Sequence, residues 1–293
     1  IKSLKVFKII FFSRPHIIHL HYIGFHSLFL LFLRQKSNLI INTWGSDLCF
    51  SERNFLRKYW LKNLVRKSHF VISDAYHHFE FLKKYGLQEK KFKYVPYGTD
   101  IEFFSSNKKC FSNQKYIVIH TRGLDDIYDV KTFIKAAKLV LKENKNFSFK
   151  VIGFGPKRYE IEEYSRNLKI NDRLLFIGQL SQIDLRNEIN SADIYVSCSL
   201  RDGGIAGCTS EAMSCQRLVL ITNNSDNHLW IKNGVNGYLF NNGDYKKLSQ
   251  LILDSVKDKT KSKEIAKRAR DKIVESNSYE RQMDKVIKIY DSI

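Results

Sequence analysis

The amino-acid sequence predicts an α/β protein made of two Rossmann-like, doubly wound domains, and two observations carry that reading. Short apolar runs rich in Ile, Val, Phe and Tyr alternate with longer amphipathic runs, the pattern of parallel strands joined by crossover helices. Over residues 100–114 the alternation breaks and Ser105, Ser106, Asn107, Lys108, Lys109, Ser112, Asn113 and Gln114 cluster, the composition of a domain linker. The 293 residues, 43% of them hydrophobic, suffice for two cores. The expected domains are 1–104 and 115–275, with a terminal helix at 276–293 crossing back to the first.

In the first half the predicted strands are 16–22, 39–44, 69–73 and 92–96. Ligands of such sheets gather at the carboxyl ends of the strands, so the loops of interest are Tyr22-Ile23-Gly24, Trp44-Gly45-Ser46-Asp47 and Ser73-Asp74. His19 and His21 alternate along a strand and so share a face. A metal site there lacks a third ligand at useful spacing, and packing or ligand contact is the preferred reading.

The second half repeats the pattern more sharply. Strand 116–120 leads to Thr121-Arg122-Gly123-Leu124 and a helix at 130–143; strand 147–152 leads to Gly153-Phe154-Gly155-Pro156 and a helix reaching 168. Strand 174–177 leads to Gly178-Gln179-Leu180 and a helix at 183–190. Strand 194–197 then opens into a small-residue loop with Asp202, Gly203 and Gly204, followed by a helix that begins near Thr209 and carries Glu211. A strand at 218–222, a segment at 228–240 and helices from 244 onward complete the chain.

Three glycine-bearing turns, at Gly123, at Gly153 and Gly155, and at Gly203 and Gly204, thus fall at carboxyl ends of strands. Glycine lets backbone approach a ligand closely, and helix starts and turns present N–H groups to anions. Arg122 is the candidate to hold a diphosphate, because its planar fork grips two oxygens and can stabilise charge on a leaving group.

Composition narrows the partners. The net charge is +19, and the first 100 residues hold 17 Lys/Arg against 6 Asp/Glu, none of the acids before Asp47. A basic surface can meet nucleic acid, anionic lipid or anionic substrate. Neither a basic-aromatic RNA-binding pattern nor zinc-finger spacing accompanies it, so nucleic acid is not an expected partner. The longest apolar run, 28–33, is too short to span a bilayer. Five cysteines (Cys49, Cys110, Cys198, Cys208, Cys215) without metal-ligand spacing read as reduced thiols, which predicts a cytoplasmic protein. The chain opens on Ile1 rather than Met, and residues are expected upstream of it.

Several of these stretches resemble landmarks of the retaining GT-B glycosyltransferases of group 1, also called family 4. Glu211-Ala212-Met213 matches the second half of the family's paired-glutamate motif; Asp202 stands one residue further away than the first glutamate, and Gly203 occupies its spacing. Arg14-Pro15-His16-Ile17-Ile18-His19-Leu20-His21, Trp44-Gly45-Ser46-Asp47 and Val95-Pro96-Tyr97-Gly98-Thr99-Asp100 follow in the family's order, with Trp44 in place of a histidine. Phe176-Ile177-Gly178-Gln179-Leu180 resembles a base-binding turn, and Asn227, Trp230 and Asn233-Gly234-Val235-Asn236-Gly237 resemble a block found in one branch. Where the family carries a lysine after its arginine, this chain has Tyr128, with Lys131 the nearest substitute.

The resemblance implies a GT-B fold whose two domains face a cleft, and metal-independent transfer of a hexose from a UDP-sugar or GDP-sugar to a hydroxyl with retention. No cofactor beyond the donor substrate is implied. Arg122 and Glu211 become the catalytic candidates, Glu211 by gripping the donor ribose. Asp202, Gly203, Gly204, Gly153, Gly155, Gln179, Leu180, Tyr128 and Lys131 become donor-binding candidates, and Gly24, Trp44 and Asp47 lie on the acceptor side. A glycan or lipid-linked acceptor at an anionic membrane surface, in polysaccharide or lipopolysaccharide synthesis, is compatible with the basic first half. A catalytically weak assembly subunit and a nucleotide-sugar epimerase are the alternative readings.

Overall fold

A computed structural model of the chain describes residues 2–24, 27, 30 and 37–293. Of the apolar run 28–33, only Leu30 lies among them. Two compact units emerge: one runs to Tyr97 and takes in Gln282–Ile293, the other is Gly98–Arg281.

The first unit contains α1 (Lys2–Ser13), β1 (Ile17–His21), β2 (Asn38–Thr43), α2 (Ser46–Ser51), α3 (Phe55–Lys67), β3 (Phe70–Ser73), α4 (His77–Lys83) and β4 (Phe92–Tyr94). Its strands form a parallel sheet in the order β1-β2-β3-β4. Side chains alternate across it, as the period of a strand requires. Leu39, Ile41 and Val71 face one core together with Trp60, Leu61, Leu64 and Val65 of α3, while Ile40 and Ile72 face a second core with Ile289 from the chain's end. The helix α1 is an addition to the sequence reading: its Ile and Phe run suits strand or helix by composition alone.

The second unit contains β5 (Tyr116–His120), α5 (Val130–Glu143), β6 (Phe147–Ile152), α6 (Arg158–Asn167), β7 (Leu174–Gly178), α7 (Gln182–Ser191), β8 (Ile194–Ser197), α8 (Gly207–Ser214), β9 (Leu218–Thr222), α9 (Asn227–Trp230), β10 (Tyr238–Phe240), α10 (Tyr245–Ser255) and α11 (Lys259–Ser276). The last helix, α12 (Tyr279–Asp291), begins in this unit and ends in the first. Six parallel strands lie in the order β10-β9-β8-β5-β6-β7. Local chemistry sets the helix starts: Asp129, Ser181, Asp244 and Asp258 each accept a backbone N–H of the first turn of α5, α7, α10 and α11. In α5, Val130, Phe133, Ile134, Ala137, Val140 and Leu141 recur at helical spacing and are buried against the sheet.

The polar stretch 100–114 is not a free linker. Cys110 and Phe111 sit in the second unit's core, the Phe111 N–H donates to Asp193 and the Asn107 N–H donates to Asn190. Arg217, 1% exposed, donates to the carbonyls of Cys215, Asn190, Ala192 and Lys108 and to the Ser106 hydroxyl. The boundary therefore falls at residues 97 and 98. Arg217→Met should lower stability by about 3 kcal/mol, because several buried acceptors lose their donor at once. A denaturant titration against wild type reads that loss.

Candidate active site

The topology marks one place on the second unit. From β5 the chain steps outward to β6 and β7, then returns to β8 beside β5 and steps the other way. Loops leaving β5 and β8 diverge at such a reversal and open a crevice at the carboxyl edge. Arg122 lies on the first loop; Asp202, Gly203 and Gly204 lie on the second, which feeds α8.

The two loops meet through side chains. Arg122 Nη2 donates to Asp202 Oδ1 at 2.7 Å, and Nη1 donates to Cys208 Sγ at 3.3 Å. The guanidinium carbon stands 4.7 Å from the centroid of the Tyr128 ring. Asp202 is held further by Asn227 Nδ2, which donates to its Oδ2 at 3.0 Å, and its own N–H donates to Asn224 Oδ1 at 2.9 Å. Cys208 also accepts from the Tyr195 hydroxyl at 3.1 Å. Burial on its own would depress the Arg122 pKa, but the Cys208 sulfur and Asp202 carboxylate raise it, so the cation persists at every working pH. Arg122 Nε is buried and donates to no group among the described residues. His120, two residues earlier, is pushed down to about 3 by burial and by Arg122, and is neutral at working pH.

The glycine turns are packed against this loop. The Gly153 N–H donates to the Gly178 carbonyl at 2.9 Å, and the Leu124 N–H donates to the Phe154 carbonyl at 3.1 Å. A Cβ at Gly153, whose φ is +142°, would lie 2.4 Å from the Arg122 carbonyl oxygen, and one at Gly155 would lie 2.2 Å from that of Leu124. Both glycines thus permit backbone-on-backbone contact that fixes the arginine loop. Gly155→Ala should cost about 2 kcal/mol by overpacking and weaken any ligand bound by that loop; differential scanning calorimetry measures the first effect. Gln179 and Leu180 follow β7, exposed and half-buried respectively, while Gly204 is buried and Gly203 half-buried.

Glu211 rides on α8 one turn beyond Cys208, a spacing that puts the two on one helix face. Burial pushes its carboxyl up to about 7. Arg122, Tyr128, Asp202, Gly153 and Gly155 therefore form one cluster, with Glu211 joined to it through α8.

Three expected residues stand differently. Lys131 Nζ is paired with Glu160 at 2.5 Å and lies 5.7 Å from the Tyr164 ring, so it does not join Arg122. Tyr128 brings no second cation and offers its ring face to the guanidinium. Asp47 is fully buried, and its oxygens accept the N–H groups of Ile23, Trp44 and Leu48, which makes it an organiser of its own loop. In the same unit Gly24 is buried and its carbonyl accepts from Ser27. Trp44 is 44% exposed and stacks on Tyr97 with centroids 4.4 Å apart. His19 and His21 share a face with rings 4.0 Å apart, and His19 Nδ1 is hydrogen-bonded to the Tyr290 hydroxyl at 2.5 Å.

Sequence reasoning missed Cys208, Tyr195 and Asn224 as parts of the site. Cys208 had a signal, its position three residues before Glu211 on one helix; Tyr195 and Asn224 lie in an apolar strand and a plain turn and had none.

Residues 102–272, more than half of the chain, match the model of a family described as Glycosyl transferases group 1. The N-acetyl-alpha-D-glucosaminyl L-malate synthase of Bacillus anthracis is 25% identical over 184 residues, 62% of this chain and 46% of that protein, so the chain spans about half the length of this relative. An uncharacterized glycosyltransferase of Methanocaldococcus jannaschii, MJ1069, is 21% identical over 280 residues, 88% of this chain and 69% of that protein. Among solved structures, Anabaena HepE in complex with UDP superposes with a TM-score of 0.86 at 16% identity, covering 99% of this chain and 82% of that one. That likeness shows the fold, Rossmann-like units of the GT-B class.

Proposed function

The chain belongs to the glycosyl transferases group 1, and we propose that it moves a sugar from a nucleoside diphosphate sugar to a hydroxyl of a glycan or lipid-linked acceptor, with retained anomeric configuration. The observation that carries this reading is the convergence of Arg122, from the loop after β5, with Asp202 and the start of α8 at the reversal of strand order. Such a crevice suits a phosphate-bearing ligand, with a fixed cation and the start of a helix close by.

In this reading Arg122 and turn amides take up charge on the diphosphate as the bond from the anomeric carbon to the phosphate oxygen breaks and its electron pair passes to that oxygen. The acceptor oxygen bonds to the same face of the sugar, and its proton goes to the departing phosphate. Glu211 holds the ribose hydroxyls. UDP is favoured over GDP as the donor nucleotide because HepE was solved with it. The acceptor belongs to surface polysaccharide or lipopolysaccharide synthesis.

Thermal-shift titration with UDP, GDP and their sugars tests the donor half. A ligand at 100 times its Kd stabilises by about 2.7 kcal/mol, a readily visible shift. UDP should raise the unfolding midpoint in wild type and fail to do so in Arg122→Ala. Indifference to both nucleotides would leave the assembly-subunit reading, and epimerised donor without glycoside would leave the epimerase.

A further inference from the structure

The outer face of α3 is apolar and cationic in a way that neither the fold nor the donor site requires. Its inner face is spent on the core through Trp60, Leu61, Leu64 and Val65. Its outer face begins with Phe55, Leu56 and Tyr59, which are 75%, 63% and 66% exposed. Tyr59 stands four residues after Phe55 and three after Leu56, so it neighbours both on the helix surface and joins the three into one patch. A soluble surface rarely gathers such residues without a partner. The rest of the helix is cationic: its 13 residues include Arg57, Lys58, Lys62, Arg66 and Lys67 and no Asp or Glu. Lys58, Lys62 and Arg66 are exposed on the same outer side.

A second helix of the unit repeats this chemistry. Ile10 anchors α1 to the core that α3 packs on, while Ile9, Phe11 and Phe12 are exposed at 64%, 55% and 77%. Lys5, Lys8 and Arg14 are exposed beside them. No acid interrupts α1 either.

We propose that α3 is the surface by which this chain docks on an anionic lipid bilayer, with Phe55, Leu56 and Tyr59 entering the headgroup region and Lys58, Lys62 and Arg66 meeting lipid phosphates. Aromatic and aliphatic side chains ringed by long cations suit that interface, because the cations extend to the headgroups while their stems lie along apolar surface. A nucleic acid would satisfy the charge but leave the apolar trio in water. A second copy of the chain would cover the trio but set like charges against one another. The proposal deepens the membrane-surface acceptor of the proposed function, yet docking itself needs neither nucleotide nor acceptor.

The test is co-sedimentation of the full chain with vesicles of phosphatidylcholine alone and with about 30% phosphatidylglycerol, without nucleotide. Binding should be at least about tenfold stronger with the anionic lipid and should weaken, without vanishing, as salt shortens the screening length. The triple variant F55S/L56S/Y59S and the double variant K58E/K62E, all surface changes, should each lose about tenfold or more. UDP thermal shifts of both should match wild type, so a failed nucleotide reading shows separately from a failed docking reading. Equal binding to neutral vesicles, unchanged binding by either variant, or a concentration-dependent dimer abolished by the triple variant in the absence of vesicle binding would overturn the proposal.

Discussion

Arg122→Ala is expected to lower kcat/KM for sugar transfer by about 100- to 1,000-fold, the usual loss when a group that stabilises developing charge is removed. The same change should also destabilise the second unit. Side chains of Arg122 and Asp202 are 14% and 3% exposed, and deleting the cation leaves the buried carboxylate to the neutral amide of Asn227, which donates to its Oδ2. An uncompensated buried charge costs about 3 kcal/mol. Lost activity could then merely report lost fold. The double variant Arg122→Ala/Asp202→Asn separates the two, since the amide needs no counter-ion. It should recover most of the stability and none of the rate. Arg122→Lys should hold the charge, yet it forfeits the planar stack on Tyr128 and the simultaneous contacts to Cys208 and Asp202, so partial activity is expected. A folded double variant that transfers sugar at the wild-type rate would falsify the role given to Arg122.

That pairing also marks where sequence reading stops. Elements set by local pattern were legible: β5, β6, β8 and β9 and the helix α5 fall where apolar periodicity and capping residues put them. So were the glycine turns, because a residue with no Cβ is demanded wherever one backbone presses on another, as at Gly153 and Gly155. What stayed hidden were choices of partner across long stretches of chain. Lys131 reads as a free cation at a helix start until Glu160, on α6, takes its ammonium. Asp47 reads as an acceptor-side acid in a loop at a strand's carboxyl end until three backbone N–H groups claim it. The 100–114 stretch has a linker's composition, but a buried arginine from between α8 and β9 ties it down. Arg122 and Asp202 were each aimed at a donor, and the fold aims them at one another as well. Polar side chains commit themselves by proximity, which periodicity does not encode.

Glu211 is expected to make both stability and nucleotide binding depend on pH near neutrality. Its carboxyl is raised by burial from 4.5 to about 7, so between those values the folded chain keeps a proton that the unfolded chain has released. Stability must therefore fall as pH rises through that window and level off above about 7, by up to roughly 3 kcal/mol. Glu211→Gln has nothing to ionise; its stability should run flatter over the same range and exceed wild type at pH 8. Binding should show the opposite preference. Ribose hydroxyls donate more strongly to a carboxylate than to a carboxylic acid, so a nucleotide held by Glu211 favours the ionised form and expels the proton. UDP affinity of the wild type should thus rise with pH through about 7, with proton release seen as buffer-dependent heat in calorimetry. Titration of the UDP phosphate itself is common to both proteins, so the difference between the wild-type and Glu211→Gln profiles isolates the side chain. At pH 8 the variant should bind about 10- to 100-fold more weakly, the value of a hydrogen bond to a charged group. Parallel affinity profiles for the two proteins from about pH 5.5 to 8.5 would remove Glu211 from the nucleotide site.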